Sequence, residues 1–96
     1  MAYDIYVHPL VTEYLSRPEV ISDDARQRLT RALVENLAEH GDEIRRRNGP
    51  IRPGSPLFWY DHILNDNGRW RHFWFAVSDA RAVVGVLLVG YVERRP

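Results

Sequence analysis

The sequence of 96 residues contains no cysteine. Disulfide bonds and thiolate metal sites are therefore excluded, and the absence fits a reducing compartment. No apolar run approaches the roughly 20 residues that a membrane-spanning helix requires. The first residues, "MAYDIYV", lack the basic start and the long apolar stretch of a secretory signal peptide. We therefore expect a cytoplasmic protein.

Lysine is absent as well. All 13 basic residues are arginine, and 13 acidic residues balance them to a formal net charge of zero. A neutral chain argues against strong non-specific binding to nucleic acid, because that affinity comes from neutralising phosphates. Zero net charge is still compatible with a local basic face that binds nucleic acid. The exclusive use of arginine has two explanations: bidentate recognition of phosphate or carboxylate, and a compositional bias of the coding genome.

The balance of 45% hydrophobic and 27% charged residues is typical of a globular protein. A chain of this length holds one modest core, so we expect a single domain over residues 1–96. Residues 2–7 are aromatic and β-branched and predict a first strand. A short amphipathic helix is predicted to begin at Pro9 and to end near residues 16–18.

Residues 21–41 give the clearest helical pattern in the chain. Ser22 is a natural N-cap, and two acidic residues follow it at the positive end of the helix dipole. Gly41 predicts the carboxyl-terminal stop. Apolar residues recur every four positions and predict one buried face, made of Ala25, Leu29, Leu33 and Leu37.

Residues 42–56 contain three prolines and two glycines and predict a loop, with room for one more helical turn at its start. Its arginines at 45–47 suit either phosphate contact or a solvated surface. Beyond the loop, Asn67-Gly68 is a strong hairpin signal, and a second turn is predicted at residues 78–81. Strands with an apolar or alternating pattern are predicted at residues 57–64, 69–77 and 82–94.

These elements predict an α+β fold in the order β-α-α-β-β-β. Two helices should pack on one face of a small, mainly antiparallel sheet, because a helix pair alone could not bury the leucine stripe. The last strand is nearly all apolar and is predicted to be central. The first strand should pair at an edge or beside the last strand.

The stretch "GRWRHFWF" (68–75) carries the most distinctive residues. Strand alternation predicts two faces. The first face holds Arg71, Phe73, Phe75 and Val77, and the second holds Trp70, His72, Trp74 and Ala76. The four histidines are scattered in sequence, and no HExxH helix, glycine-rich phosphate loop or Ser-His-Asp set is present. The sequence therefore predicts no metal site and no cofactor.

Three stretches resemble the RelE/ParE toxin superfamily: "HPLVTEYL", "GRWRHFWFAVSDA" and "VVGVLLVGYVERR". The family's pattern is an aromatic-arginine pair in a strand, an acidic turn, and an apolar strand that ends in "VG" before a basic tail. Here these features correspond to Trp70-Arg71, Ser78-Asp79 and Val89-Gly90. The resemblance in element order covers nearly the whole chain.

The resemblance implies a bacterial toxin of a type II toxin–antitoxin pair, held by its antitoxin in a hetero-oligomer. RelE-like members cut mRNA in the ribosome, using the RNA 2′-hydroxyl as nucleophile, and ParE-like members inhibit DNA gyrase. Arg71 matches the strand arginine that would stabilise phosphate, and either strand histidine would transfer protons. The catalytic residues expected are Arg71, Arg94, His62 and His72. The RNA-binding residues expected are Arg69, Trp70, Tyr91 and Arg95.

Some positions depart from the family pattern. The second strand holds Asp61 where RelE-type members carry basic residues, and Val92 stands where a second tail arginine is common. A second hypothesis is therefore a binding module without catalysis, either a ParE-like gyrase inhibitor or a degenerate toxin that binds only its antitoxin. A further alternative is structural only: Arg71 pairs with Asp61 across the hairpin, "GRWRHFWF" is a strand with one apolar face, and most of its aromatic rings are structural.

Overall fold

The computed structural model describes the backbone of residues 4–80 and 83–94 and the side chains of residues 5–78. Within these residues, six elements follow one another: β1 (Asp4–Val7), α1 (Pro9–Leu15), α2 (Asp23–Asn48), β2 (Leu57–Asp66), β3 (Arg69–Ala80) and β4 (Val83–Arg94). The predicted α+β class and the predicted β-α-α-β-β-β order are both confirmed.

The strands form one sheet in the order β1-β4-β3-β2. β2 pairs antiparallel with β3, and β3 pairs antiparallel with β4. β1 pairs parallel with β4, which places β4 in the interior of the sheet as its apolar sequence predicts. β2 is the opposite edge strand. The first strand therefore lies both at an edge and beside the last strand.

Both helices contribute to one core against a single face of the sheet. Two phenylalanines of β3, Phe73 and Phe75, are fully buried there, together with the leucine stripe of α2. Burying one such side chain stabilises the folded state by about 1.5–3 kcal/mol. The helix contribution consists of Val11, Leu15, Ala25, Leu29, Leu33, Leu37 and Ile44. We call this side of the sheet the helix face and the other side the uncovered face.

The long helix continues past Gly41, so the predicted stop there is wrong. Gly41 is buried and Ile44 prolongs the apolar stripe, so that burial carries the helix on to Asn48. A kink remains at His40, whose φ of −126° and ψ of 19° are not helical. Gly49, with a φ of 74°, takes the terminating role that glycine favours. Within the described residues, no helix has the length and apolar character needed to cross a membrane.

The two predicted turns have different outcomes. Asn67 and Gly68, with φ values of 54° and 86°, join β2 to β3 in the predicted hairpin. The turn predicted at residues 78–81 is wrong for its first three residues, because Ser78–Ala80 pair with Val83–Gly85 and extend the ladder. Polar composition suggests a turn there, but the backbone pairing with the apolar last strand continues through it. Residue 81 lies outside the described residues.

The hairpin end of the sheet is tied to the start of α2 through Asp66. The Ser22 amide donates to Asp66 Oδ2 at 2.9 Å, and the Ser22 hydroxyl donates to Oδ1 at 2.6 Å. Ser22 Oγ also accepts from the Ala25 amide at 3.2 Å, which is the predicted N-cap bond. Burial alone would raise the pKa of Asp66, but these bonds, with Arg71 and Arg28 nearby, hold it below its ordinary value.

Replacing Asp66 with alanine is expected to lower the free energy of unfolding by about 1–3 kcal/mol, because Ser22 loses both bonds. Since the folded pKa is depressed, the carboxylate's contribution is complete above the ordinary value of 3.8 and is lost as the pH falls below it. Urea unfolding at several pH values checks both statements. The exposed Asp24→Ala is the control and should have a much smaller effect; an equal loss in both variants would contradict the assignment.

Candidate functional site

A cleft of about 350 Å³ lies between the second half of α2 and the edge strand β2. We call it the α2–β2 cleft. It combines imidazole, phenol, carboxylate and guanidinium groups in one concave surface, which is a common feature of sites that transfer protons or bind anions. Its lining residues are Asn36, His40, Glu43, Ile44, Arg47, Tyr60, Asp61 and His62.

Helix periodicity explains the α2 side of the cleft. The polar lining residues are spaced by four, three and four positions, at Asn36, His40, Glu43 and Arg47. Positions three and four apart lie on the same side of a helix. This polar stripe runs beside the buried apolar stripe, so packing of the leucines brings the polar stripe over β2. The continuation of α2 to Asn48 is what brings Arg47 to the cleft.

Three side chains form a hydrogen-bonded chain at the bottom of the cleft. Asn36 Nδ2 donates to the Tyr60 hydroxyl at 3.0 Å, and that hydroxyl lies 3.4 Å from His62 Nδ1. The Tyr60 and His62 rings stack, with centroids 6.4 Å apart and planes at 17°. With Nδ1 engaged by Tyr60, the second ring nitrogen of His62 has no hydrogen-bond partner among the described side chains. Tyr60 and Asn36 thus orient His62 and leave Nε2 available.

Burial determines the protonation of both rings. It lowers the pKa of His62 below its ordinary value of 6.5; nearby Asp61 opposes this shift, and His72 adds to it. Burial also raises the pKa of Tyr60, although the hydrogen bond from Asn36 acts to lower it. At neutral pH, His62 is therefore a neutral imidazole and Tyr60 a neutral phenol. A neutral imidazole is the form that accepts a proton.

Charged groups from α2 form the rim of the cleft. His40 Nδ1 lies 4.0 Å from Glu43 Oε1, and the His40 side chain is 54% exposed. Arg47 Nε donates to Asn48 Oδ1 at 3.4 Å. No carboxylate within the described part of the chain lies within 4 Å of the Arg47 guanidinium. Arg47 is therefore the cation of this cleft that is available to an anionic ligand.

His72 lies on the uncovered face, opposite to His62. Its Nε2 is 2.9 Å from Asp61 Oδ2, and its ring packs on Trp74 with centroids 4.7 Å apart. Trp74 in turn meets Trp59 edge to face at 5.6 Å. The two strand histidines predicted as proton-transfer groups are thus on different sides of the sheet. Only His62 lines the α2–β2 cleft.

Arg71 lies on the helix face and is only 4% exposed. Its guanidinium donates to the Glu19 carbonyl at 3.4 Å, and its charge contributes to the low pKa of Asp66. The alternative prediction that Arg71 pairs with Asp61 is wrong, because the Asp61 carboxylate binds His72, whose side chain is on the opposite face of the sheet from Arg71. The structure does not bring Arg71 together with either histidine in one open site.

The RNA-binding residues expected from the sequence are only partly placed. Arg69 and Trp70 are exposed beside the hairpin turn, and Trp70 is 38% exposed. Tyr91 and Arg94 belong to β4, where they pair in register with Phe73 and Trp70. The side chains of Tyr91 and Arg94, and all of Arg95, lie outside the described residues.

The cleft contains residues that the sequence patterns do not group. Strand alternation marks Tyr60 only as a neighbour of His62, and His40 is only one of several scattered histidines. The signal that joins them is the polar spacing on α2, which extends the helix pattern beyond Gly41 to Arg47. Predicting a loop at residues 42–56 hides this signal.

Comparison with known proteins adds no relative. No protein-family model matches the chain, and neither the curated proteins nor the solved structures contain a significant match. Among the described residues, no group of three or more histidine, cysteine or acidic side chains is arranged to hold a metal ion.

Proposed function

We propose that this chain is the toxin of a type II toxin–antitoxin pair, resembling the RelE/ParE superfamily, and that it cuts mRNA in the α2–β2 cleft. The observation that carries the proposal is the oriented, neutral His62 beside the available cation Arg47. The strand motif of the sequence supports the family, and the cleft supports the chemistry. The proposed cleavage site differs from the arginine-centred site expected from the sequence.

The reaction requires little more than these groups. The RNA 2′-hydroxyl loses its proton to a base and attacks the adjacent phosphorus. The bond from phosphorus to the 5′-oxygen then breaks, and that oxygen takes a proton from an acid. The products are a 2′,3′-cyclic phosphate and a 5′-hydroxyl. A neutral imidazole, a proton donor and a cation near the phosphate are sufficient for this sequence of events.

Each role has a residue in the cleft. His62 Nε2 takes the proton of the 2′-hydroxyl in the tautomer whose Nδ1–H donates to the Tyr60 oxygen. Arg47 binds the phosphate and offsets the charge that develops on its oxygens. His40, on the exposed rim beside Glu43, gives a proton to the leaving oxygen. Asn36 fixes the Tyr60 hydroxyl and so acts through it.

The partners follow from the same proposal. The net charge of zero gives little general attraction to RNA, so delivery of mRNA by the ribosome suits this chain better than capture of RNA from solution. The antitoxin would hold the toxin in an inactive hetero-oligomer. A cleavage assay should therefore compare naked RNA with ribosome-bound mRNA.

Replacing Arg47 with alanine is expected to slow mRNA cleavage about 10²-fold, the loss typical of one group that stabilises an oxyanion. Arg46→Ala is the matched control, because Arg46 is an exposed neighbour on the same helix that does not line the cleft. The measurement follows end-labelled mRNA on programmed ribosomes and identifies 2′,3′-cyclic phosphate ends. Equal rates for the two variants, or absence of cleavage by the wild-type chain, would overturn the proposal.

The uncovered face favours a second candidate, a binding module without catalysis. Trp70 and Ile63 are 38% and 41% exposed there, on the same face as the Trp59–Trp74 pair. Exposed aromatic rings of this kind are enriched at protein interfaces. The partner would be the antitoxin alone or DNA gyrase. Inhibition of gyrase supercoiling by a chain that leaves ribosome-bound mRNA intact would select this candidate.

A further inference from the structure

Asp61 touches two parts of the molecule that the sheet separates. It lies between Tyr60 and His62 in the edge strand, and it lines the α2–β2 cleft. Its carboxylate also binds His72 on the uncovered face, with Oδ2 2.9 Å from Nε2. β2 is at the edge of the described sheet, and the bridge between Pro50 and Phe58 covers only its beginning, so no described strand lies beyond Asp61 on that side. The carboxylate is a physical link between the two faces.

The imidazole of His72 is held rigidly on the uncovered face. It is 9% exposed, and its ring is tilted by 32° against that of Trp74 at 4.7 Å. Trp74 is itself packed against Trp59 at an angle of 81°. A hydrogen bond from an imidazole fixed in this way limits the orientations of the Asp61 carboxylate. The aromatic packing therefore determines where the charge of Asp61 lies.

Several titratable and charged groups surround His62. Burial is the largest influence and lowers the pKa of His62; among the groups, Asp61 raises that pKa and His72 lowers it. The groups on its own strand are Tyr60 and Asp61, the group on β3 is His72, and the groups on α2 are His40, Glu43 and Arg47. Among the described residues that line the cleft, Asp61 is the one that binds a side chain on the uncovered face.

We propose that His72 is a positioning residue for the cleft: it fixes the carboxylate of Asp61, which precedes His62 in β2 and lines the cleft, so that the uncovered face governs the proton affinity of His62. The role in catalysis rests on the function proposed for the cleft. The structural coupling itself does not depend on catalysis. Any partner that covered the Trp59–Trp74 surface and displaced His72 would change the protonation of His62.

Two substitutions of His72 separate position from charge. The glutamine of His72→Gln keeps a donor for Asp61, whereas the phenylalanine of His72→Phe keeps the ring packing and loses the donor. Neither side chain can carry the positive charge of an imidazolium. Any difference between the two variants therefore reports how firmly Asp61 is held.

The measurement is an NMR titration of the His62 ring protons in the full chain. We expect the His62 midpoint in His72→Phe to lie at lower pH than in His72→Gln, because the released carboxylate supports the imidazolium less. Asp61→Asn should lower the midpoint as well, which provides a second route if one variant folds poorly. Identical midpoints in the two His72 variants would overturn the positioning role.

Cleavage assays of the same variants complete the test. His72→Phe should lose about tenfold in kcat with KM unchanged, and His72→Gln should recover most of the loss and share its pH profile with the wild type. Equal kcat in the two variants would overturn the role in catalysis. If the NMR midpoints differ as expected but the wild-type chain cuts no mRNA, the proposed function fails and the coupling between Asp61 and His72 stands.

Discussion

Replacing Arg71 with alanine is expected to lower the free energy of unfolding by about 3 kcal/mol. The side chain is 4% exposed, donates to the Glu19 carbonyl and acts on the Asp66 carboxylate. Its removal takes away the packing of its alkyl stem and leaves buried polar groups with fewer partners. Urea unfolding followed by circular dichroism measures the loss.

Arg69→Ala is the control for this substitution. Arg69 is in the same strand two residues earlier, but it is exposed. Its removal should cost less than about 1 kcal/mol. If Arg71→Ala instead kept the stability of the wild type and abolished mRNA cleavage, Arg71 would have the chemical role that the strand motif predicts. Growth arrest alone cannot distinguish these cases, because an unfolded chain would also lose the proposed toxicity.

Under the proposed function, replacing His62 with glutamine is expected to slow mRNA cleavage about 10³-fold, within the range for loss of one acid–base group. Glutamine is close in size and keeps polar atoms in the cleft, but it does not accept a proton at neutral pH. Because burial holds the pKa of His62 below 6.5, the wild-type rate should rise with pH through a midpoint below that value. The cleavage rate on programmed ribosomes, measured as a function of pH, shows this rising part of the profile, its acidic limb.

His8→Asn is the matched histidine control. His8 caps α1 by accepting from the Leu10 amide at 3.1 Å, and asparagine caps helices well, so the substitution should leave both fold and rate unchanged. In His62→Gln the acidic limb of the pH profile should disappear. A variant that kept the limb, or that cut as fast as His8→Asn, would show that another group is the base.

Much of the fold can be predicted from local sequence patterns. The Ser22 cap, the leucine stripe and the Asn67-Gly68 turn each act within a few residues, and each lies where its pattern predicts. The end of α2 is not predictable in this way. Gly41 is a good stop in isolation, but burial of Ile44 against the sheet outweighs it and leaves only a kink at His40.

The candidate site is less accessible to sequence reasoning. Alternation correctly separates Arg71 from His72, but it does not say which face the helices cover, and the covered face is that of Arg71. His62 is identified from residue type. Its companions come from α2, and their approach depends on how the helix packs across the sheet. A site formed between two distant segments has no continuous motif.

The parallel pairing of β1 with β4 also has a consequence for biosynthesis. Asp4 pairs with Val83 and Val7 with Val86, so the first strand has no sheet to join until the last strand has been made. Contacts between such distant segments form slowly. A nascent chain without β4 would leave β1 without the strand that it pairs with. We therefore expect folding to be completed only after β4 has left the ribosome.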